Sequence, residues 1–369
     1  MKIACSTQLL AEACQNVQRA VSTKTSIPAV EGILIRAQDS ELRLTGYDLE
    51  LGIQTGIEAR VQEEGGIVLN ARVFCDILRK LPGEVVGIES DSRNLATIKS
   101  GEANYSLVGI SAEEYPELPS VVGGYPVVLS QGTLKEMVQQ TIFAVAVKDN
   151  KVVHTGVKFE IEDGELRLVA VDGVRLALRR ERISYDGEPL SFVVPAKTLS
   201  EVVKLMEEND AFISMGVGKR HIVFDVLGYS VVSRLLDGEF LNYKTTIPQN
   251  VSTAVRVGAK KFIESIERTS LIITDKLKSP VKCVFQTDQI HVSSVTALGT
   301  ASDRLPAEIE GDSLEIGFNN KYLIEALRVC DTDEVKIALN GPVSPILILP
   351  VEGDHFLYLV LPVRLKAEL

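Results

Sequence analysis

The chain contains no tryptophan, and phenylalanine and tyrosine bring the aromatic share to only 5%. Its cores must therefore be built from aliphatic side chains. Cysteine is scarce: five residues, at 5, 14, 75, 283 and 330, with no CxxC pair among them. That pattern argues against a disulfide framework and against a structural zinc site, and it suits buried, reduced thiols in the cytoplasm. The four histidines, at 154, 221, 291 and 355, stand at no metal-ligand spacing with Cys, Asp or Glu. No apolar run approaches the roughly 20 residues of a membrane span. The longest, ILILPV from Ile346, fits a buried strand. The opening MKIACSTQLL has no signal-peptide pattern and passes directly into an amphipathic helix. There is no GxSxG elbow, and GVGKRH at 216–221 lacks the GxxxxGK[ST] spacing of a phosphate loop and reads as a hairpin turn. An enzyme needs one asymmetric constellation of polar groups. None assembles here, so no catalytic residue, metal or cofactor is expected.

What is present is repetition. ELRLTGYDLELGI from Glu41 and ELRLVAVDGVRLAL from Glu165 are 124 residues apart, as are Asp48 and Asp172. A further 124 residues on, QIHVSSVTALG from Gln289 keeps the apolar alternation of Ile290 and Val292 but has lost the aspartate. NARVFCDILRKL from Asn70, PAKTLSEVVKLM from Pro195 and NNKYLIEALRVC from Asn319 follow the same ruler. Each opens on a cap or helix-starting residue and continues with apolar positions at helical spacing, in the first Val73, Phe74, Ile77, Leu78 and Leu81. Helical segments from Thr7, Gly132 and Ala259 head the three units, the last slipped by about four residues. A period this long is a whole domain rather than a solenoid repeat. Three domains follow: 1–122, 123–248 and 249–369, with linkers in AEEYPELPSVVGGYP (112–126) and LNYKTTIPQNVS (241–252), both rich in Pro, Gly and polar residues.

Each unit reads as strand, helix, several strands, helix, more strands. Alternation such as Leu166, Leu168, Ala170 predicts antiparallel sheet with one face on a core, and two helices per unit would cover it in an α+β layer. Asp163-Gly164, Asp186-Gly187, Asp237-Gly238 and Asn340-Gly341 are expected hairpin turns. Asp48 and Asp172, matched in two units, suit a structural turn or strand-end hydrogen bond better than acid–base chemistry.

The net charge of −11 argues against a protein that grips nucleic acid over its whole surface. Basic residues nevertheless gather on the expected helices: Arg72, Arg79 and Lys80; Lys197 and Lys204; Lys260 and Lys261. One reading is a solvated helix face. The other is a single basic surface assembled from all the units, on a molecule otherwise acidic, which would surround DNA and slide rather than stick.

The three α+β units, the VDGVRLA strip, AEEYPELP at 112–119, RLLDGEFLNY at 234–243 and VLPVRL near the end together resemble the bacterial β sliding clamps, the processivity subunits of the replicative DNA polymerase. The resemblance covers essentially the whole chain. It implies a DNA clamp fold closed by head-to-tail homodimerisation, with antiparallel sheets outside and helices lining a hole that encircles duplex DNA irrespective of sequence. It implies a non-catalytic role in processivity. The partners it implies are the clamp loader, the replicative polymerase alpha subunit, translesion polymerases, mismatch-repair proteins and ligase, all docking through QLxLF-type motifs, with no membrane partner. The alternative is a monomeric three-domain protein-binding scaffold that does not encircle DNA.

The family's docking groove maps onto His154, Val171, Gly173, Val174, Arg175 and Leu176, onto Leu241 and Thr246, and onto Leu359, Val360, Leu361, Pro362, Val363, Arg364 and Leu365. Read from sequence alone, Leu176, Leu361 and Val363 also suit a core. DNA contacts map onto Lys24, Arg79, Lys148, Lys151, Lys197 and Lys204, and the dimer interface onto Leu81, Tyr105 and Leu107 against Leu271 and Ile272. This chain departs from the family at several groove positions. The family commonly has histidine where Val174 stands, leucine where His154 stands, proline where Leu241 stands and methionine where Leu361 and Val363 stand. It also often ends at the Arg-Leu pair, whereas here Lys366-Ala367-Glu368-Leu369 follow.

Overall fold

The computed structural model describes residues 1–22, 25–121, 126–207, 211–274 and 279–365. Among the described residues six α-helices recur two to a repeat: α1 (Thr7–Val17), α2 (Ala71–Leu78), α3 (Gln131–Gln139), α4 (Ala196–Leu205), α5 (Ala259–Ser270) and α6 (Asn320–Arg328). Side chains cap their starts at Asn70 and Asn319, as expected from sequence, and at Ser130, where none was foreseen. Asn70 Oδ1 accepts from Val73 N at 3.1 Å, Asn319 Oδ1 from Lys321 N at 3.0 Å, and Ser130 Oγ from Thr133 N at 3.1 Å, each satisfying an otherwise orphaned donor of the first turn. The end of α2 differs from expectation. The helix stops at Leu78, so Leu81 lies beyond it and Arg79 is its cap.

Contacts divide the chain into two compact units. The first comprises Met1–Thr133, Tyr185–Gly187 and Lys197–Leu235; the second comprises Leu134–Ser184, Glu188–Ala196 and Leu236–Leu369. The middle repeat contributes to both, because strands pair across the repeat boundaries. In the first unit, Leu51–Glu58 pairs antiparallel with Tyr229–Arg234, joining the first repeat to part of the second in one nine-stranded sheet. In the second unit, Arg175–Arg182 pairs antiparallel with Phe356–Val360 in another nine-stranded sheet. A five-stranded sheet completes the first unit and a four-stranded sheet the second. Their outermost strands include Ala103–Val108 and Gly299–Pro306, each hydrogen-bonded on one side only among the described strands.

The cores are mostly aliphatic, but the few aromatic residues are concentrated in them, with Phe74, Phe159, Phe224, Phe262, Phe285 and Tyr358 among the largest fully buried side chains, a correction to the purely aliphatic core expected from composition. Leu10, Cys14 and Val17 of α1 and Phe74, Cys75 and Leu78 of α2 are buried; so are Phe262 and Ile266 of α5 with Leu323 and Leu327 of α6. All five cysteines are free thiols, four of them buried, and burial pushes those of Cys5 and Cys283 up to about 12.

Of the four expected hairpin dipeptides, only Asp163-Gly164 forms a two-residue turn. It lies between Gly156–Glu162 and Glu165–Val171, with φ of 52° and 70° as a type I′ turn demands. Asn340-Gly341 begins a longer connection between Glu334–Leu339 and Ile346–Pro350. Asp186-Gly187 and Asp237-Gly238 lie in segments outside any strand. Leu227-Gly228, with φ of 48° and 78°, forms a two-residue turn that no Asn or Asp announced. GVGKRH is the hairpin turn expected of it, with Gly218 N donating to His221 O at 2.9 Å.

Candidate functional site

The repeated strips form matching hairpins, and the aspartates hold their turns. Asp48 Oδ1 accepts from Glu50 N at 3.0 Å and Leu51 N at 2.7 Å. Asp172 Oδ1 accepts from Val174 N and Arg175 N, both at 3.0 Å. The third repeat keeps this device in another residue: Thr296, 124 residues beyond Asp172, accepts from Leu298 N at 3.1 Å through its hydroxyl. The aspartate is absent from the third repeat, as the sequence shows, and a hydroxyl makes the bond in its place. Each turn also takes one residue at positive φ, Leu49 at 77° in the first and Gly173 at 87° in the second.

In the second unit the hairpin becomes the floor of an apolar surface. Val171 pairs with Leu176 and Leu176 with Leu359. Strand alternation places Val169, Val171, Leu176, Leu178, Leu357 and Leu359 on one face, where they form a single buried cluster with Tyr243, Ala338 and Leu347. Phe240 and Ile247, from the connection between the second and third repeats, pack on that cluster half-buried. Tyr243 pins the connection, donating from its hydroxyl to Glu160 Oε2 at 2.5 Å, with Lys158 Nζ 5.9 Å from its ring centroid. Burial and the neighbouring carboxylate push the phenol up. Burial alone would raise Glu160, but hydrogen bonds from Lys158 and Tyr243 outweigh it and hold the carboxyl low.

The tail beyond Phe356–Val360 extends this surface. Leu361 N donates to Val174 O at 2.9 Å and Val363 N to Gly317 O at 2.8 Å. Gly317 is required here, since a Cβ would stand 2.6 Å from Val363 O and 2.7 Å from Leu365 Cδ2. Val174, Leu241, Leu361 and Val363 remain exposed at 37%, 37%, 36% and 39%. The expected groove residues therefore separate by role. Val171, Leu176 and Leu359 are floor, core in burial, whereas Leu361 and Val363 are open to ligand. Gly173, Thr246 and Arg364 are exposed, and Pro362, Leu365 and His154 are half-buried. The Thr246 hydroxyl donates locally to Tyr243 O at 2.7 Å.

Two residues expected in the groove face the other way. Val360, fully buried, and its cross-strand partner Arg175 lie on the opposite face of the sheet from Leu359 and Leu176. There the Arg175 guanidinium meets Asp172 at 2.9 Å and bonds Glu325 of α6, with its carbon 4.6 Å from the Tyr322 ring centroid and 5.4 Å from that of Phe143. It bolts the second repeat to the third. Sequence reading missed Phe240, Tyr243 and Ile247 as covering residues, although two aromatics in so aromatic-poor a chain were a signal.

The corresponding place in the first unit is shut. Arg234 N donates to Glu50 O at 2.9 Å, the counterpart of the Leu361–Val174 bond, so charged residues stand where the second unit exposes leucine and valine. Gly52 replaces Leu176, and a Cβ on it would stand 2.3 Å from Leu118 Cδ2. Leu118 and Tyr115 of the first connection pack with Tyr47 and Leu34 in their own cluster.

Among the basic residues, Lys24 lies outside the described residues. Arg79 bonds Asp76, Lys197 pairs with Asp48 at 2.5 Å and Lys204 with Glu201 at 2.8 Å, each with its basic end more than half exposed, so the pairs are worth little in water. Lys148 and Lys151 are exposed beside Asp149. Of the expected interface residues, Tyr105 and Leu107 are half-buried on the edge strand Ala103–Val108, and Leu81 is half-buried after α2. In the other unit, Leu271 is 83% exposed at the end of α5 and Ile272 half-buried. Val108, on the same edge strand as Tyr105 and Leu107, is also 83% exposed.

Comparison with known proteins decides what this arrangement is. Residues 1–119, 128–242 and 244–364 match the N-terminal, central and C-terminal domains of the DNA polymerase III beta subunit in succession. The chain belongs to the bacterial β sliding clamp family. The beta sliding clamp of Bacillus subtilis is 32% identical over 99% of this chain and 100% of its own length, and that of Halalkalibacterium halodurans 34% over 95% and 96%. The crystal structure of the Bacillus subtilis clamp superposes with a TM-score of 0.97 over 99% of this chain and all of its own. A putative beta subunit from Eubacterium rectale, 35% identical, gives 0.94 over 98% and 99%. The three similar domains and antiparallel sheets of this chain are those of the sliding clamp fold, and its function is that of a DNA sliding clamp in replication. None of the described helices is long and apolar enough to cross a membrane.

Proposed function

We propose that this clamp acts as a head-to-tail homodimer of domains 1–122, 123–248 and 249–369, closed around duplex DNA in the cytoplasm, and that it carries no catalytic chemistry. In this reading the edge strands Ala103–Val108 and Gly299–Pro306 pair between protomers, with Leu81, Tyr105 and Leu107 meeting Leu271 and Ile272 of the partner subunit. Each otherwise unpaired edge is thereby satisfied. Lys24, Arg79, Lys148, Lys151, Lys197 and Lys204 meet phosphates, Arg79, Lys197 and Lys204 exchanging weak acidic partners for them. Clamp loader, polymerases, mismatch-repair proteins and ligase take turns at one groove per protomer.

The observation that carries the groove is the row of exposed Val174, Leu241, Leu361 and Val363 beside a buried apolar floor. Exposed leucine and valine held rigidly by backbone hydrogen bonds suit the apolar anchors of a short peptide. Each buried anchor contributes about 1.5–3 kcal/mol, and ordering the peptide takes much of it back. Micromolar, exchangeable binding follows. The test is a fluorescence-anisotropy titration of a labelled QLxLF-type peptide against the native chain and Leu361→Asp. At 36% exposure Leu361 tolerates a charge without unfolding the protein, whereas Leu176, at 3%, does not. Saturable binding lost in Leu361→Asp is the expected outcome, and equal binding by both would remove the groove. Sedimentation gives the assembly: twice the 40.3 kDa chain supports the ring, and one chain's mass supports the scaffold alternative.

A further inference from the structure

We propose that His154 determines specificity in the docking groove, its Nε2 accepting a hydrogen bond from a side-chain amide or hydroxyl of the docked segment. The inference rests on the groove reading above. His154 follows a loop that Asp149 ties down: Asp149 Oδ1 accepts from Lys151 N at 2.9 Å, and Oδ2 lies 2.9 Å from His154 Nδ1. A carboxylate can only accept, so the Nδ1 carries the proton. The neutral ring is then fixed as the tautomer whose Nε2 is a lone-pair acceptor.

That acceptor is buried and has no hydrogen-bond partner among the described residues. Its near neighbour is Phe240, whose ring stands perpendicular at 5.5 Å between centroids and offers no N–H or O–H. Phe240 is half-buried on the same apolar cluster as Leu176 and Leu359, so the imidazole neighbours a residue that packs on the groove floor. An aliphatic residue at 154 would fill the space with nothing unsatisfied. An imidazole held in one tautomer and idle at its other nitrogen rewards a ligand that brings the donor, and a site with an unpaired polar atom discriminates against ligands lacking its partner.

The experiment uses the full chain and a panel of labelled QLxLF-type peptides with Ser, Asn or Gln placed singly at positions flanking the apolar anchors, each against its apolar isostere. At one position the donor-bearing peptide should bind the native protein about three- to tenfold more tightly. His154→Leu should erase that preference while still binding the apolar peptides. His154→Gln, which keeps an acceptor, should retain part of it. Nitrogen-15 NMR of the imidazole gives an independent readout, since Nε2 should change shift when that peptide is added. A preference untouched in His154→Leu, or an Nε2 already hydrogen-bonded in the free protein, overturns the proposal. Failure of every peptide to bind the native protein instead overturns the groove reading, and this inference with it.

Discussion

Replacing Asp172 by alanine removes the acceptor that holds the tip of the second repeated hairpin. The side chain is only 13% exposed and takes bonds from Val174 N, Arg175 N and Arg175 Nε at 3.0, 3.0 and 2.9 Å. Hydrogen bonds to a charged partner contribute about 1.5–3 kcal/mol each. Val174 is exposed, so water replaces much of its bond, and Arg175 retains Glu325. The net loss should therefore be about 2–3 kcal/mol. Asp172→Asn keeps an oxygen for the two amides but loses the charge and the acceptor for Arg175 Nε, so its loss should be smaller, about 1–2 kcal/mol. Urea denaturation followed by far-UV circular dichroism measures both, and amide exchange at Arg175 should accelerate in the alanine variant alone. An Asp172→Ala midpoint indistinguishable from the native one, with Arg175 still protected, would refute the assignment of this residue to turn stability.

Leu49 holds φ of 77° where the matching turn has Gly173, and a left-handed conformation strains a branched residue. Leu49→Gly should raise stability by about 0.5–1 kcal/mol, and a lower urea midpoint would count against the strain argument. Glu136 is raised from the ordinary 4.5 by burial first and then by Asp331, although Arg179 opposes this. Its folded form therefore holds the proton more tightly than the unfolded chain. That contribution is fully present below about pH 4.5 and is lost as pH rises through the raised value. Glu136→Gln mimics the protonated state, so its stability advantage over the native chain should be absent below about pH 4.5, grow as the pH rises towards the raised value and level off above it. A constant difference from pH 4 to 8 would contradict it.

How much was legible in the sequence depends on the range of the interaction that decides each feature. Caps and turns are local, so Asn70, Asn319 and Asp163-Gly164 announced themselves. Thr296 did not, because a threonine in an alternating strip reads as a strand residue, and only the ruler set by Asp172 reveals its hydroxyl as a cap. Asp186-Gly187 and Asp237-Gly238 have hairpin chemistry, yet neither joins two paired strands: Arg175–Arg182 and Leu190–Pro195, on either side of the first, are not neighbours in their sheet. The merging of repeats into nine-stranded sheets is a long-range pairing that no local pattern encodes. It also decides the groove. Period-two alternation would have separated Leu359 from Val360, but which of them faces the floor was fixed only by the pairing of Arg175–Arg182 with Phe356–Val360.

Among the positions at which the two repeated strips differ, one, Gly52 against Leu176, explains why one junction is sealed. Leu176 fills its own space on the sheet. Gly52 leaves that space to Leu118 of the neighbouring connection, whose Cδ2 would lie 2.3 Å from an added Cβ, with Tyr47 Cδ2 at 3.2 Å. A methyl group there cannot coexist with the present Leu118 rotamer, so Gly52→Ala should cost about 1–3 kcal/mol by overpacking. Leu118→Ala alone should cost about 1–2 kcal/mol, the lower end for a half-buried leucine. The double variant joins a new methyl to the space vacated by the lost side chain, so the two costs should not add. A coupling of about 1 kcal/mol or more in the favourable direction is expected from a double-mutant cycle in urea. Additive costs would mean that Leu118 does not occupy the place of the missing side chain, and that the first junction is closed for some other reason.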